Sequence, residues 1–172
     1  MKSKLLYIIV ISLIVFTCEK KTDNTESQAP KNVADLTSSD IKNLKYTDYI
    51  LGNDGSKLFI NWKKFQELNI QMGYLKQGDL SFFKNEKAEV KALFDSLKTT
   101  VPDTINTKPI VSRFAVLETK SLKLQDNLNM DNIEKATKLT SVKEVLVAFG
   151  NLNLQINKKL EFDANEYFKP VD

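Results

Sequence analysis

The chain has 172 residues, 42% of them apolar and 27% charged, which suffices for one compact domain with a real core and is too short for two of ordinary size. It contains no histidine, which excludes imidazole-based catalytic triads, His-ligated zinc or haem, and histidine pH switches. A single cysteine excludes an internal disulfide or a thiolate cage, and a formal net charge of +3 is weak support for a nucleic-acid partner.

Residues 1–18 begin Met-Lys-Ser-Lys and run apolar from Leu5 to Phe16, interrupted by Ser12, before Thr17 and Cys18. A basic start, an apolar stretch of about a dozen residues and a small polar residue before a cut are the parts of a secretory signal. The stretch falls short of the roughly 20 apolar residues that a membrane-spanning helix needs, so residues 1–17 are expected to be cleaved. The one cysteine stands at the end of this signal. Val15-Phe16-Thr17-Cys18 resembles the lipobox of bacterial lipoproteins, with Phe16 and Thr17 where that class usually has smaller residues. The resemblance covers these 18 residues and the tether after them. It implies that Cys18 is joined to a diacylglycerol, carries palmitate-type acyl chains and becomes the first residue of the mature chain, with the membrane as its partner. Each buried methylene contributes ~0.8 kcal/mol, so two or three chains hold firmly where one is marginal. Glu19, in place of an aspartate, implies the outer membrane. Glu19-Lys20-Lys21-Thr22-Asp23 is similar to the charged tethers that send some Bacteroidetes lipoproteins to the cell surface.

Residues 18–39 have Val33 and Leu36 as their only large apolar residues and are expected to form a flexible tether with a reach of about 25 Å. The domain is then residues 40–172. Asp40 to Leu44 starts a short helix capped by Thr37, Ser38, Ser39 or Asp40. Tyr46 to Leu51 fits strand or helix, and Gly52-Asn53-Asp54-Gly55 reads as a turn. The preferred reading of residues 46–60 is a loop joining two helices, with a hairpin as the alternative.

Four stretches follow with helical spacing. The first carries Leu58, Trp62, Phe65, Leu68, Met72 and Leu75 and ends at Gly78. The second starts at an Asp79 cap and carries Leu80, Phe83, Val90, Phe94, Leu97 and Val101 up to Pro102. The third opens at Asn106 or Thr107, tolerates Pro109 in its first turn, and carries Ile110, Phe114, Leu117, Ser121, Leu124 and Leu128. The fourth starts near Asp131 and carries Val142, Leu146, Phe149, Asn153, Ile156 and Leu160. Short turns between them predict an all-α, up-down-up-down four-helix bundle, with residues 162–172 lying against it.

Asn69, Ser121 and Asn153 fall on or beside these apolar stripes. They read either as a hydrogen-bonded polar layer that fixes register or as a small polar pocket between helices. Arg113, the one arginine among 25 basic residues, reads as a clasp to Glu67, Glu89 or Glu144, or as a contact for an anionic ligand or partner. Glu67, Glu86, Glu89, Asp95, Glu118, Glu134 and Glu144 all have the spacing of solvated helix faces, so no catalytic residue, metal site or cofactor is expected. Met72 reads as core filler, Gly150 as a close approach of two helices, and adjacent Phe82 and Phe83 cannot both face inward. Lysines interleave with acids and show no nucleic-acid stripe. Removal of the signal takes Lys2 and Lys4, leaving 23 basic residues against 22 acidic ones. The expectation is a lipid-anchored, non-catalytic envelope protein that binds a protein or glycan. The alternatives are a carrier or sensor of a small apolar or anionic ligand, and an immunity or inhibitor lipoprotein.

Overall fold

Apolar residues spaced three and four apart wind into helices wherever neighbouring helices can cover the stripe. In the computed structural model, which describes residues 34–167, this happens seven times. The helices are α1 (Ser38–Lys42), α2 (Asn53–Phe59), α3 (Lys63–Gln77), α4 (Ser81–Lys84), α5 (Lys87–Thr99), α6 (Lys108–Asn129) and α7 (Lys135–Tyr167). A 3-10 turn at Asp103–Ile105 joins α5 to α6, and the described residues contain no strand. The described residues are all-helical, as the patterning predicts. The signal peptide, Cys18 and the tether up to residue 33 lie outside the described residues, as do residues 168–172.

One apolar cluster forms the core. Phe65, Leu68 and Met72 of α3 meet Val90, Phe94 and Leu97 of α5, Ile110, Phe114 and Leu117 of α6, and Leu146, Phe149 and Leu152 of α7. Here α6 runs along α7, α5 packs on α6, and α3 touches both α5 and α7. Met72 fills the core as expected. Of the adjacent pair, Phe83 is fully buried and Phe82 half-buried, their rings edge to face at 5.1 Å.

Two of the four expected long helices are broken. The first breaks at Ile60-Asn61-Trp62, separating α2 from α3, because the Gln66 side-chain amide donates to the Phe59 and Ile60 carbonyls and satisfies the end of α2. Phe59 and Phe65 stack across this corner at 3.9 Å. The second breaks at Asn85, whose extended backbone separates α4 from α5. Side-chain amides of α6 receive that break: Gln125 donates to the Asn85 carbonyl and Asn129 to that of Phe83. At the start of α4, Asp79 accepts the Ser81 N–H at 2.9 Å, although Leu80 is the capping position.

Other boundaries shift as well. Gly52 to Gly55 form no turn with positive φ; Gly52 caps α2 and Asn53, Asp54 and Gly55 are its first turn. Residues 46–60 therefore make no hairpin, but an extended segment followed by a helix. Thr107 takes the capping position of α6 without a side-chain cap bond. The fourth helix begins at Lys135, four residues after Asp131, and continues through Phe162 to Tyr167 as one element. Leu36, assigned to the tether, is half-buried against the core.

The first turn of α1 is tied on both sides. Thr37 and Asp40 form a capping box, and the Lys135 ammonium sits 2.8 Å from the Asp40 carboxylate. Hydrogen bonds from Lys135 first, then Thr37, hold the Asp40 carboxyl at about 2, below its ordinary 3.8. A depressed folded-state pKa contributes stability above pH 3.8 that is lost as pH falls toward about 2. Asp40→Asn is expected to flatten that part of the acid limb of the urea-midpoint profile; an unchanged limb between those pH values would show that the pair contributes nothing.

Gly78 closes α3 with φ +90, its N–H donating to Leu75 while the Asp79 N–H reaches Tyr74. A Cβ here would lie 2.5 Å from the Cα of Ser38, so α1 rests directly on the turn. Gly73, inside α3, has open space around a would-be Cβ. Gly78→Ala is expected to destabilise by about 2 kcal/mol or more, and Gly73→Ala to stabilise by about 0.5–1 kcal/mol, read from urea unfolding.

Candidate functional site

The expected polar layer does not assemble. Asn69 is exposed, because it lies one residue, and so about 100°, beyond the buried Leu68 position. It borders a shallow surface depression with Leu51, Ile60 and Gln66. Ser121 is fully buried on α6, but its hydroxyl has no hydrogen-bond partner. Ser141 and Asn127, not singled out in the sequence, make a partly buried bond instead: Asn127 donates to the Ser141 hydroxyl at 2.6 Å.

Asn153 is buried and belongs to a different construction. Gly150, Asn153 and Asn157 share one face of α7 at steps of three and four. The Asn153 amide donates to the Tyr49 carbonyl at 3.0 Å and the Asn157 amide to the Ile50 carbonyl at 2.8 Å. Asn157 Oδ1 accepts the Gly52 N–H at 2.9 Å. A Cβ on Gly150 would come within 3.2 Å of the Tyr49 backbone nitrogen. Gly150 thus marks the close approach of a strap without helix or strand, residues 44–52, rather than of a second helix. Lys76 pairs with Asp48 at 2.7 Å and ties the strap to α3. Asn153 Oδ1 is left without a partner. Asn157 was the residue to find, and the Gly-x-x-Asn-x-x-x-Asn spacing was its signal.

Arg113 is exposed on α6 and forms no ion pair among the described residues. Its expected clasp partners are engaged elsewhere: Glu67 with Lys64, Glu89 with the Asn85 amide, Glu144 with Lys120 and Lys123. The displaced carboxylates are all held down. Lys91 and then Lys98 lower Asp95, and Lys123 is the main cause at Glu144. Such groups are charged pairs rather than proton donors near neutrality. Among the described residues no cluster of Asp, Glu or Cys could hold a metal ion, and no helix is long and apolar enough to cross a membrane.

At the corner between α2 and α3 lies an open groove of about 470 Å³, lined by Leu58, Asn61, Trp62, Lys63, Lys64, Thr100 and Pro102. The Trp62 indole N–H donates to the Thr100 hydroxyl at 2.9 Å, and its ring stacks on Phe59 and Phe65. The sequence marked Trp62 as core, which its 4% exposure supports, but not the groove above it.

No protein family, curated protein or solved structure matches this chain.

An unpartnered buried hydroxyl costs stability, and removing one partner of a made bond forfeits the bond and leaves the other partner unmatched. Ser121→Ala is expected to leave the urea midpoint unchanged or raise it, while Asn157→Ala lowers stability by about 1–2 kcal/mol. The opposite order would mean that Ser121 finds a partner in solution.

Proposed function

We propose that the chain is a lipid-anchored, non-catalytic protein of the bacterial cell envelope, attached to the outer membrane through Cys18 and binding a macromolecular partner. The observation that carries this reading is the position of its one cysteine, at the end of a short apolar signal and before a polar tether. The carboxylates of the helical unit support the non-catalytic part, since those with displaced pKa values are lowered rather than raised. Within this reading α3, α5, α6 and α7, each packed on the next and α7 on α3, are an up-down-up-down bundle, with α4 as the short lead-in to α5. A carrier of small ligands is less well supported, because Asn69 is exposed and Asn153 holds the strap.

Cys18→Ser is expected to abolish metabolic labelling with palmitate and to release the chain from the membrane fraction. Continued labelling of the variant would overturn the anchor. For the binding part, cross-linking in intact cells is expected to give one discrete larger species, and its absence across cross-linker lengths would count against a partner.

A further inference from the structure

The groove at the α2–α3 corner has a charge of one sign. Lys63 and Lys64 line it and no acidic side chain does. Lys63 has no ion pair among the described residues, and Lys64 meets Glu67 at 2.8 Å in a pair that is nearly half exposed on both sides. The first turn of α3 holds no acidic residue and no side-chain cap, so its positive helix end adds to the lysines instead of offsetting them. Between these cations, Leu58, Trp62 and Pro102 give an apolar floor. That floor is pre-organised, because Trp62 is fixed by Thr100 at its edge, by the mutually stacked Phe59 and Phe65 on one side and by Phe114 edge-on at 5.7 Å.

Shape decides between a small molecule and a larger partner. The groove opens to solvent, whereas a small-ligand pocket encloses about 70–90% of what it binds. A protruding segment of a macromolecule needs no such enclosure. Ser38 of α1 rests on Gly78 at the C-terminal end of α3, and the groove lies at the other end of that helix, about 22 Å along it.

We infer that this groove is a docking site for an acidic segment of a protein partner, which sets an apolar side chain against Leu58, Trp62 and Pro102 and its carboxylates against Lys63 and Lys64. The inference rests on the proposed reading of the chain as a binding protein and names where that binding occurs.

Trp62 is the one tryptophan of the chain, so the tryptophan emission comes from the indole at the base of the groove. The full chain is titrated with a synthetic hexapeptide alternating glutamate with leucine and phenylalanine, with its lysine-for-glutamate counterpart, and with phosphatidylglycerol vesicles. Expected is a saturable change in Trp62 emission with the acidic peptide that weakens with added salt and is absent with the basic peptide. Lys63→Glu should raise the dissociation constant about fivefold or more, while Lys143→Glu, an equal charge change on an exposed site of α7, should not. Equal responses to both peptides, no saturable response, or unchanged affinity in Lys63→Glu overturn the site. A response to the vesicles alone overturns it in favour of a lipid surface. Cellular cross-linking separates the two levels: a cross-linked species that survives Lys63→Glu rejects the groove and leaves the proposed function standing, whereas no species with the unaltered chain rejects the function itself.

Discussion

The structure depends on α7 being covered on several sides at once. At 33 residues it is about 50 Å long, and α1, α2, α3, α6 and the 3-10 turn all pack on it. A helix with so many neighbours cannot keep a single apolar stripe and a single polar back. Val142, Leu146, Phe149, Leu152 and Ile156 serve the core, Lys135 meets α1, and Gly150, Asn153 and Asn157 hold the strap. The apolar spacing of α6 has value only because α7 offers a matching surface along most of its length. The position of α2, and with it the corner that shapes the groove, follows from the strap that leads into it.

The helices were legible because burial of a stripe is a local statement about spacing, repeated every three or four residues. The breaks were not. The chain stays helical on pattern alone through Ile60 and through Asn85, and each interruption is satisfied by a side-chain amide. Gln66 is near in sequence, but Gln125 and Asn129 lie some 40 residues from the carbonyls that they receive, a distance that no periodicity reveals. The same holds for Asn153, whose place on an apolar face was visible while its partner, the backbone of Tyr49, was not. Asn69 falls outside the core for an angular reason, since a step of one residue turns a side chain by about 100°, whereas the clasp expected of Arg113 does not form because Glu67, Glu89 and Glu144 have partners of their own. The groove was illegible because its floor and rim come from the α2–α3 corner and from the segment after α5, and the corner itself is one of the unpredicted breaks.

Electrostatics plays a different part at each level. Most ion pairs, such as Lys91 with Asp95 and Lys87 with Asp126, are exposed and contribute little to stability. Their effect is to use up charge locally, so that the surface is a mosaic rather than a field. Against that mosaic, places where cations remain unmatched acquire meaning, and Lys63 and Arg113 are two of them. With 25 basic residues against 22 acidic ones, such local departures outweigh net charge in the field close to the surface.

The strap differs in kind from the helices it joins. Its bonds to α7 run from side-chain amides to single backbone groups, with no ladder of mutually reinforcing hydrogen bonds, and Tyr49 and Ile50 leave much of their surface in water. Its detachment unwinds no helix and releases only the partly buried Leu44, Tyr46 and Leu51 from the core, so the free energy of local opening is below that of global unfolding. Amide exchange in residues 47–52 should outpace that in α6 and the middle of α7. The protein is thus graded in cooperativity, from an aromatic knot around Trp62 that opens only with the whole domain to a ribbon that breathes on its own.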